Sequence, residues 1–181
     1  LLTMKQKGAD YAYINVTTTG VSLILRDARK LGLTTKFGSN PYGFSEALPA
    51  VARDAAEGVT GVMPHVPFGE NVPGMARVLE FHKANHPNDT HDALYVRGWA
   101  YALTWTEALK RADKAGKLTG EGVRAAAETL ENFDLGGLTS PVTYTPKDHR
   151  PSTKTPIYQV KGGKLVKIAE YDMPRKPEWL G

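Results

Sequence analysis

The spacing of apolar residues predicts alternating strands and helices over the first 66 residues. Residues 10–16 (DYAYINV) are apolar at nearly every position, which predicts a strand buried on both faces. Apolar residues then recur at helical spacing from Thr17–Thr19 to Leu31, where Gly32 ends the predicted helix. A short strand at 35–38, a helix at 46–56 capped by Ser45 and a strand at 59–66 follow. This order predicts a parallel sheet with right-handed crossovers.

The pattern changes after the proline- and glycine-rich residues 67–74. Three helices are predicted without strands between them, over 75–85, over 92–115 and from Thr119 through Leu130. The middle helix is apolar over most of its circumference, which predicts burial against several neighbours. The first helix carries its predicted apolar side on Met75, Val78, Leu79 and Phe81.

Short β-like runs return after Gly136-Gly137, at 142–145, 156–161 and 165–170. Gly162-Gly163 predicts a two-residue hairpin turn between the last two runs. The tail, 172–181, holds two prolines and is expected to be extended. At the other end, residues 1–8 are typical of the last turns of a helix with Gly8 as its C-cap, so we expect an N-terminal portion to be missing.

Composition narrows the class of protein. The hydrophobic content of 41% among 181 residues is typical of a globular chain, and the aromatic content of 9% argues against disorder. The net charge of +4 comes mainly from lysines and arginines near turns and strand ends, where they keep an edge soluble, so nucleic-acid binding is not expected. The absence of cysteine excludes disulfides, thiolate metal ligands and a cysteine nucleophile.

Two stretches lie where open α/β sheets bind ligands, beyond the carboxyl ends of the strands. They are residues 15–19 and 40–44. Thr17, Thr18 and Thr19 would offer hydroxyl and N–H groups to a carboxylate at the start of a helix. The alternative is that one threonine caps the helix and the others are solvated.

Metal and catalytic chemistry are weaker interpretations. His82, His86 and His91 lie close together in sequence, but Pro87 disfavours helical geometry at His86. Ser45 lies in a sequence similar to a nucleophile elbow, yet it does not directly follow a strand and is better interpreted as a helix cap. The turn at 148–150 (DHR) is interpreted as solvated. We therefore expect no metal, no cofactor and no enzymatic activity.

Five segments resemble the C-terminal half of periplasmic solute-binding proteins of the branched-chain amino acid type, which have the type I fold of ABC importers. They are 8–15 (GADYAYIN), 25–32 (LRDARKLG), 56–61 (AEGVTG), 143–149 (TYTPKDH) and 157–165 (IYQVKGGKL). The resemblance covers nearly the whole chain and depends on the order of these segments. It implies an α/β fold with a doubly wound parallel sheet in the C-terminal lobe, plus returning helices of the N-terminal lobe.

The resemblance also implies a domain division and a site. Residues 1–68 and 137–181 would form the C-terminal lobe, and 69–136 the helical part of an N-terminal lobe that is mostly missing. In the family, ligand is held between two lobes that close about a hinge. Position by position, the implied ligand-binding residues are Thr17, Thr18, Asn40, Pro41, Tyr42 and Trp99. Amino-acid binders of the family commonly have an acidic residue where this chain has 40–42 (NPY), so an α-amino acid ligand is less expected than another organic carboxylate.

The implied function is that of an extracytoplasmic or periplasmic binding component. It would deliver a small organic acid, or an aromatic or branched amino acid, to the membrane permease of an ABC importer. The alternative is a ligand-sensing domain of the same fold in a receptor or regulator. A hydrolase that uses Ser45 is a third hypothesis.

Overall fold

A computed structural model describes residues 1–176 and 178 of the chain. The chain divides into two compact units. Unit 1 comprises residues 1–67 and 155–171, and unit 2 comprises residues 68–154 and 172–181. The chain therefore passes between the units at three points, after Pro67, Lys154 and Tyr171.

A five-stranded sheet in the order β1-β2-β3-β4-β5 organises unit 1. Its strands are β1 (Tyr11–Ile14), β2 (Lys36–Ser39), β3 (Thr60–Val62), β4 (Lys154–Lys161) and β5 (Lys164–Asp172). The first three are parallel, and β4 pairs with β3 in the antiparallel direction. Gly162 and Gly163, with φ of 56° and 73°, form the predicted two-residue turn between β4 and β5. The predicted α/β fold with a mostly parallel sheet is confirmed.

The first strand differs from its prediction. Tyr11 and Tyr13 are 52% and 55% exposed, whereas Ile14 is buried. Alternate residues of a strand point to opposite faces, so Tyr11 and Tyr13 lie on the exposed face and Ile14 lies on the buried one. The sequence pattern of apolar residues on both faces was therefore wrong as a guide to burial in this strand.

Two of the three helices of unit 1 contribute residues to its apolar core. The helices are α1 (Leu2–Gln6), α2 (Thr18–Lys30) and α3 (Ala47–Ala52), and α3 continues as a 3₁₀ helix over Arg53–Ala56. Helix α2 packs against α3 and the 3₁₀ helix. The buried apolar residues of this unit include Val21, Leu25, Ala28, Phe44, Leu48, Ala52, Val59, Met63, Tyr158 and Val160.

Unit 2 contains the three remaining helices of the described chain. They are α4 (Met75–Asn85), α5 (Ala93–Lys114) and α6 (Gly120–Ala127). Helix α5 packs against α6. Its buried residues are mostly small: Ala93, Val96, Ala100, Ala108 and Ala112. Its larger apolar residues Leu94, Tyr101, Trp105 and Leu109 are exposed, so the described residues do not supply the several neighbours that the sequence pattern requires for their burial.

Residues 133–154 form an irregular segment of unit 2. The predicted strand at 142–145 is reduced to two isolated bridges, Phe133 with Val142 and Thr145 with Asp148. The Tyr144 N–H donates to Leu130 O at 2.9 Å, which ties this segment to the end of α6. Residues 137–154 belong to unit 2 together with the three helices.

The tail differs less from its prediction. Residues 173–176 contain no helix or strand, as expected for an extended segment. Pro177 and residues 179–181, which the prediction also covered, lie outside the described residues.

Candidate functional site

The loops that follow β1 and β2 lie side by side at the carboxyl edge of the parallel strands. Ile14 pairs with Ser39 in the last register position of the two strands. The Asn40 N–H donates to Ile14 O at 3.2 Å, so the second loop starts at the level where the first strand ends. This is the edge at which open parallel sheets bind ligands.

Asn40 joins the two loops with its side chain. Its Nδ2 donates a hydrogen bond to Asn15 Oδ1 in the first loop. Its Oδ1 accepts a hydrogen bond of 2.8 Å from the Gly43 N–H in its own loop. Both ends of the amide are therefore occupied in holding the backbone, which makes Asn40 a residue that shapes this edge.

Thr17 and Thr18 begin helix α2 at the same edge. Thr17 is the N-cap residue and is exposed, but its side chain makes no capping hydrogen bond. The first intrahelical bond is donated by Val21 to Thr17 O at 3.0 Å. The N–H groups of the preceding three residues, 18–20, therefore have no acceptor within the helix. They form the positive end of the helix dipole, which favours an anionic group.

Thr18 also connects the helix to the second loop. Its Oγ1 donates to Tyr42 O at 3.3 Å. The Tyr42 side chain is 59% exposed and Pro41 is half-buried. Thr18, Asn40, Pro41 and Tyr42 thus belong to one continuous edge, together with Thr17. We name this edge, made of residues 15–19 and 40–43, the strand-end site.

Gly43 makes the close packing of this site possible. A Cβ at this position would lie 2.6 Å from Val21 Cγ2 and 2.7 Å from Val16 O, and it would also meet Ser39 Oγ. Any larger residue must therefore displace either helix α2 or the first loop. The sequence pattern predicts a loop at Gly43 but not this constraint, because the neighbours come from other parts of the chain.

The strand-end site is neutral and rich in donors. Residues 15–19 (NVTTT) and 40–44 (NPYGF) contain no charged side chain. Hydroxyl and amide groups together with a helix N-terminus suit a carboxylate or another small anion. An ammonium group would find no carboxylate partner in these two loops.

Trp99 belongs to unit 2, whereas the other predicted site residues belong to unit 1. Its indole lies 5.9 Å beneath the Arg77 guanidinium and meets the edge of Phe81, with the two ring centroids 5.5 Å apart. It lines a cavity of about 380 Å³ with Leu103, Phe133 and other residues of unit 2. A cation over an aromatic face is favourable, so Arg77 stabilises this position of the indole.

The three histidines considered as metal ligands form an aromatic cluster. His82 is buried, and its ring lies 5.0 Å from the rings of Phe68, His91 and Tyr95. Leu79 and Phe81 were predicted on the apolar side of α4, but they are 41% and 45% exposed. His82 lies on the buried side instead, because it follows Val78 by about one helical turn. Over residues 1–176 and 178, no group of three or more metal-ligating side chains is arranged to hold an ion.

The turn at 148–150 is not the solvated turn that the sequence predicted. Asp148 is buried, and its carboxylate accepts hydrogen bonds from Arg150 Nε and Nη2, each at 3.0 Å. Arg175 Nη1 donates to the same carboxylate. The hydrogen bonds from Arg150, and then those from Arg175, hold the pKa of Asp148 well below its ordinary value. Arg175 lies 27 residues away, so no local pattern could have indicated this contact.

Comparisons with known proteins bear on both units. The family model described as periplasmic binding protein matches residues 1–164. A crystal structure of a branched-chain amino acid ABC transporter from Thermus thermophilus with bound valine is 26% identical, with a TM-score of 0.84. The match covers 93% of this chain and 47% of that protein. No curated protein matches the chain.

Two further solved structures are similar. An ABC transporter substrate-binding protein from Aeropyrum pernix is 25% identical with a TM-score of 0.86, and the match covers 98% of this chain and 48% of that protein. A solute-binding protein from R. palustris in complex with benzoate is 20% identical with a TM-score of 0.72, and the match covers 93% and 45%. At 20% identity, the similarity to the benzoate-bound protein shows a shared fold alone.

These findings establish the class of protein. The α/β unit with its mostly parallel sheet has the type I periplasmic-binding-protein fold, as the sequence analysis expected. The chain belongs to the periplasmic binding protein family. It spans about half the length of the solved structures it matches. Among the described helices, none is both long and apolar enough to cross a membrane.

Proposed function

We propose that this chain is part of the extracytoplasmic solute-binding component of an ABC importer and that it has no catalytic role. Family membership supports this proposal, as do the similar structures of a branched-chain amino acid transporter and a substrate-binding protein. The ligand would be a small organic acid, or an amino acid with an aromatic or branched side chain. Binding would shift the protein between conformations that a membrane permease distinguishes.

The observation that carries the proposal is the N-terminus of helix α2 within the strand-end site, where the N-cap side chain makes no capping hydrogen bond. Thr17 does not cap the helix with its side chain. The N–H groups of residues 18–20 therefore remain as donors for a ligand carboxylate. Hydrogen bonds from Asn40 to Asn15 and from Thr18 to Tyr42 hold the two loops around these donors.

The charge of the site favours some carboxylates over others. Residues 15–19 and 40–44 contain no acidic side chain that could pair with an α-ammonium group. We therefore propose that carboxylates without an ammonium group bind more tightly than α-amino acids. Valine, which is bound in the Thermus thermophilus structure, carries the carboxylate that this site would recognise.

Three other residues complete the proposed site. The exposed ring of Tyr42 and the adjacent Pro41 would contact the apolar part of the ligand. Trp99 would provide a second aromatic contact from unit 2. We propose that residues of the whole protein outside this chain, from an N-terminal lobe, supply the remaining contacts.

A change at Thr17 tests the role of the helix N-terminus. Aspartate is a favourable N-cap residue, so Thr17→Asp should keep or raise stability. The same carboxylate would occupy the free N–H groups and repel an anion. We expect affinity for the tightest-binding carboxylate to fall by at least about tenfold, which is about 1.4 kcal/mol. Isothermal titration of the whole protein with benzoate, L-valine, L-leucine and benzamide measures this effect.

The controls separate charge from helix capping. Thr17→Asn caps the helix without adding charge, so it should weaken binding less than Thr17→Asp. Thr119→Asp makes the same change at the N-cap of α6, in unit 2, and should leave affinity unchanged. Binding that is insensitive to Thr17→Asp would contradict the proposed carboxylate position. The absence of binding heat for every carboxylate and amino acid tested would contradict the transport function.

A further inference from the structure

A buried carboxylate in unit 2 is held by two arginines from separate parts of the sequence. The side chain of Asp148 is only 7% exposed. Arg150 binds both of its oxygens in a bidentate arrangement, at 3.0 Å each. Arg175 Nη1 donates to Oδ2 as well, and Arg175 Nη2 donates to Arg150 O at 3.1 Å. Such charge-assisted bonds are stronger and more specific in geometry than neutral ones.

The segment that carries Arg175 is attached at two further points. The Met173 N–H donates to Thr153 O at 2.9 Å. Lys154 Nζ lies 3.3 Å from Asp172 Oδ2. Residues 172–176, which we name the strap, are therefore joined to residues 148–154 along their length.

The strap lies next to two of the three points where the chain passes between the compact units. The second passage follows Lys154 and the third follows Tyr171. The strap begins directly after the third passage, and its contacts extend to the residue that precedes the second. Chain passages of this kind absorb the backbone changes when two compact units move.

We propose that the strap couples the backbone conformations of the second and third passages, and that this coupling depends on the hydrogen bond between Asp148 and Arg175. While Arg175 is bound to Asp148, the backbone at the two passages changes conformation together. When the contact between Asp148 and Arg175 is lost, each passage changes conformation independently. Asp148 is thus a positioning residue for the motion of the chain, and this role does not depend on the identity of the ligand.

Two variants weaken the interaction of Asp148 with the arginines to different extents. Asp148→Asn removes the anion and leaves two guanidinium groups close to each other, so it should open the strap fully. Arg175→Met removes only the contact from the strap, because the Asp148–Arg150 pair remains. Lys167→Gln is a matched control, since it breaks an exposed ion pair of 2.6 Å with Glu170 that lies within β5.

Hydrogen–deuterium exchange at neutral pH tests the proposal on the whole chain. Both strap variants should speed exchange of the Met173 amide by about tenfold, because its acceptor Thr153 O is no longer held in place. Exchange should rise in parallel at 153–155 and at 172–176, whereas 68–72 at the first passage should keep its wild-type rates. Lys167→Gln should match the wild type at all three passages.

Trypsin cleavage after Arg175 provides a second measurement. Arg175 is followed by Lys176, and Lys176 is followed by proline, so Arg175 is the favoured site in the strap. Asp148→Asn should accelerate this cleavage by about tenfold relative to Lys167→Gln. Mass spectrometry of the shortened chain gives the rate.

Two results would overturn the proposal. One is exchange that rises in the strap alone and leaves 153–155 unchanged, because the passages would then not be joined. The other is exchange and cleavage that stay within twofold of the wild type. If Asp148→Asn fails to fold, Arg175→Met decides the question, since it preserves the bidentate pair.

Discussion

Helix α2 of unit 1 and helix α5 of unit 2 both carry apolar residues at helical spacing, but they bury them in different ways. Helix α2 buries a single stripe that contains Val21, Leu25 and Ala28. Helix α5 buries mainly alanines and leaves Tyr101 and Trp105 each 60% exposed. The difference shows that apolar spacing predicts burial when one face of a helix is polar. It does not choose among faces when nearly all of them are apolar.

The two helices also begin differently. Asp92 caps α5 by accepting a hydrogen bond of 2.7 Å from the Leu94 N–H. Thr17 stands at the same position of α2 without a capping side-chain bond. One helix N-terminus is therefore occupied by its own chain, while the other lies open at the proposed ligand site.

The largest expected effect on stability distinguishes the buried core of unit 1 from the exposed apolar residues of α5. Leu48 is fully buried, so Leu48→Ala should lower the free energy of unfolding by about 2–5 kcal/mol. Leu109 is 44% exposed, and Leu109→Ala should cost less than about 1 kcal/mol. Urea unfolding followed by circular dichroism measures both changes. Equal losses of unfolding free energy would show that the exposed apolar residues of α5 are as important to stability as the core.

A smaller effect is expected for one glycine in each unit. Gly43→Ala should destabilise the chain by about 1–3 kcal/mol, because the new methyl group would overlap Val21 and the Val16 carbonyl. In contrast, a Cβ at Gly98 in α5 meets nothing within 4 Å. Gly98→Ala should therefore stabilise the helix by about 0.5–1 kcal/mol. A destabilising Gly98→Ala would mean that this face of α5 is more crowded than the structure shows.

The smallest effect distinguishes the two helix caps. Asp92→Ala removes a side-chain hydrogen bond to the backbone and should cost about 1 kcal/mol. Thr17→Ala removes no such bond and should change stability by less than about 0.5 kcal/mol. Thermal unfolding of the two variants beside the wild type provides the measurement. A similar loss in both variants would indicate that Thr17 does cap α2, and that fewer N–H groups are available to a ligand.

Much of the fold could be predicted because its signals are local. Helix α4 has the predicted bounds, 75–85, and the Gly162-Gly163 turn lies where two adjacent glycines allow positive φ. The predicted strand at 142–145 was wrong because its residues bond to the end of α6 and to nearby turns instead of a partner strand. The strand-end loops could be placed from strand order, although the Asn40–Asn15 bond that joins them could not.

The sequence by itself determined the order of strands and helices, the turns and the neutral character of the loops at 15–19 and 40–44. These properties depend on spacing along the chain and on the backbone freedom of single residues. Only the tertiary structure decided which face of α5 is buried, that Asp148 is held by Arg175, and that Asn40 bonds Asn15. The last two contacts join residues 27 and 25 positions apart, where electrostatics and hydrogen bonding act with no periodic signal in the sequence.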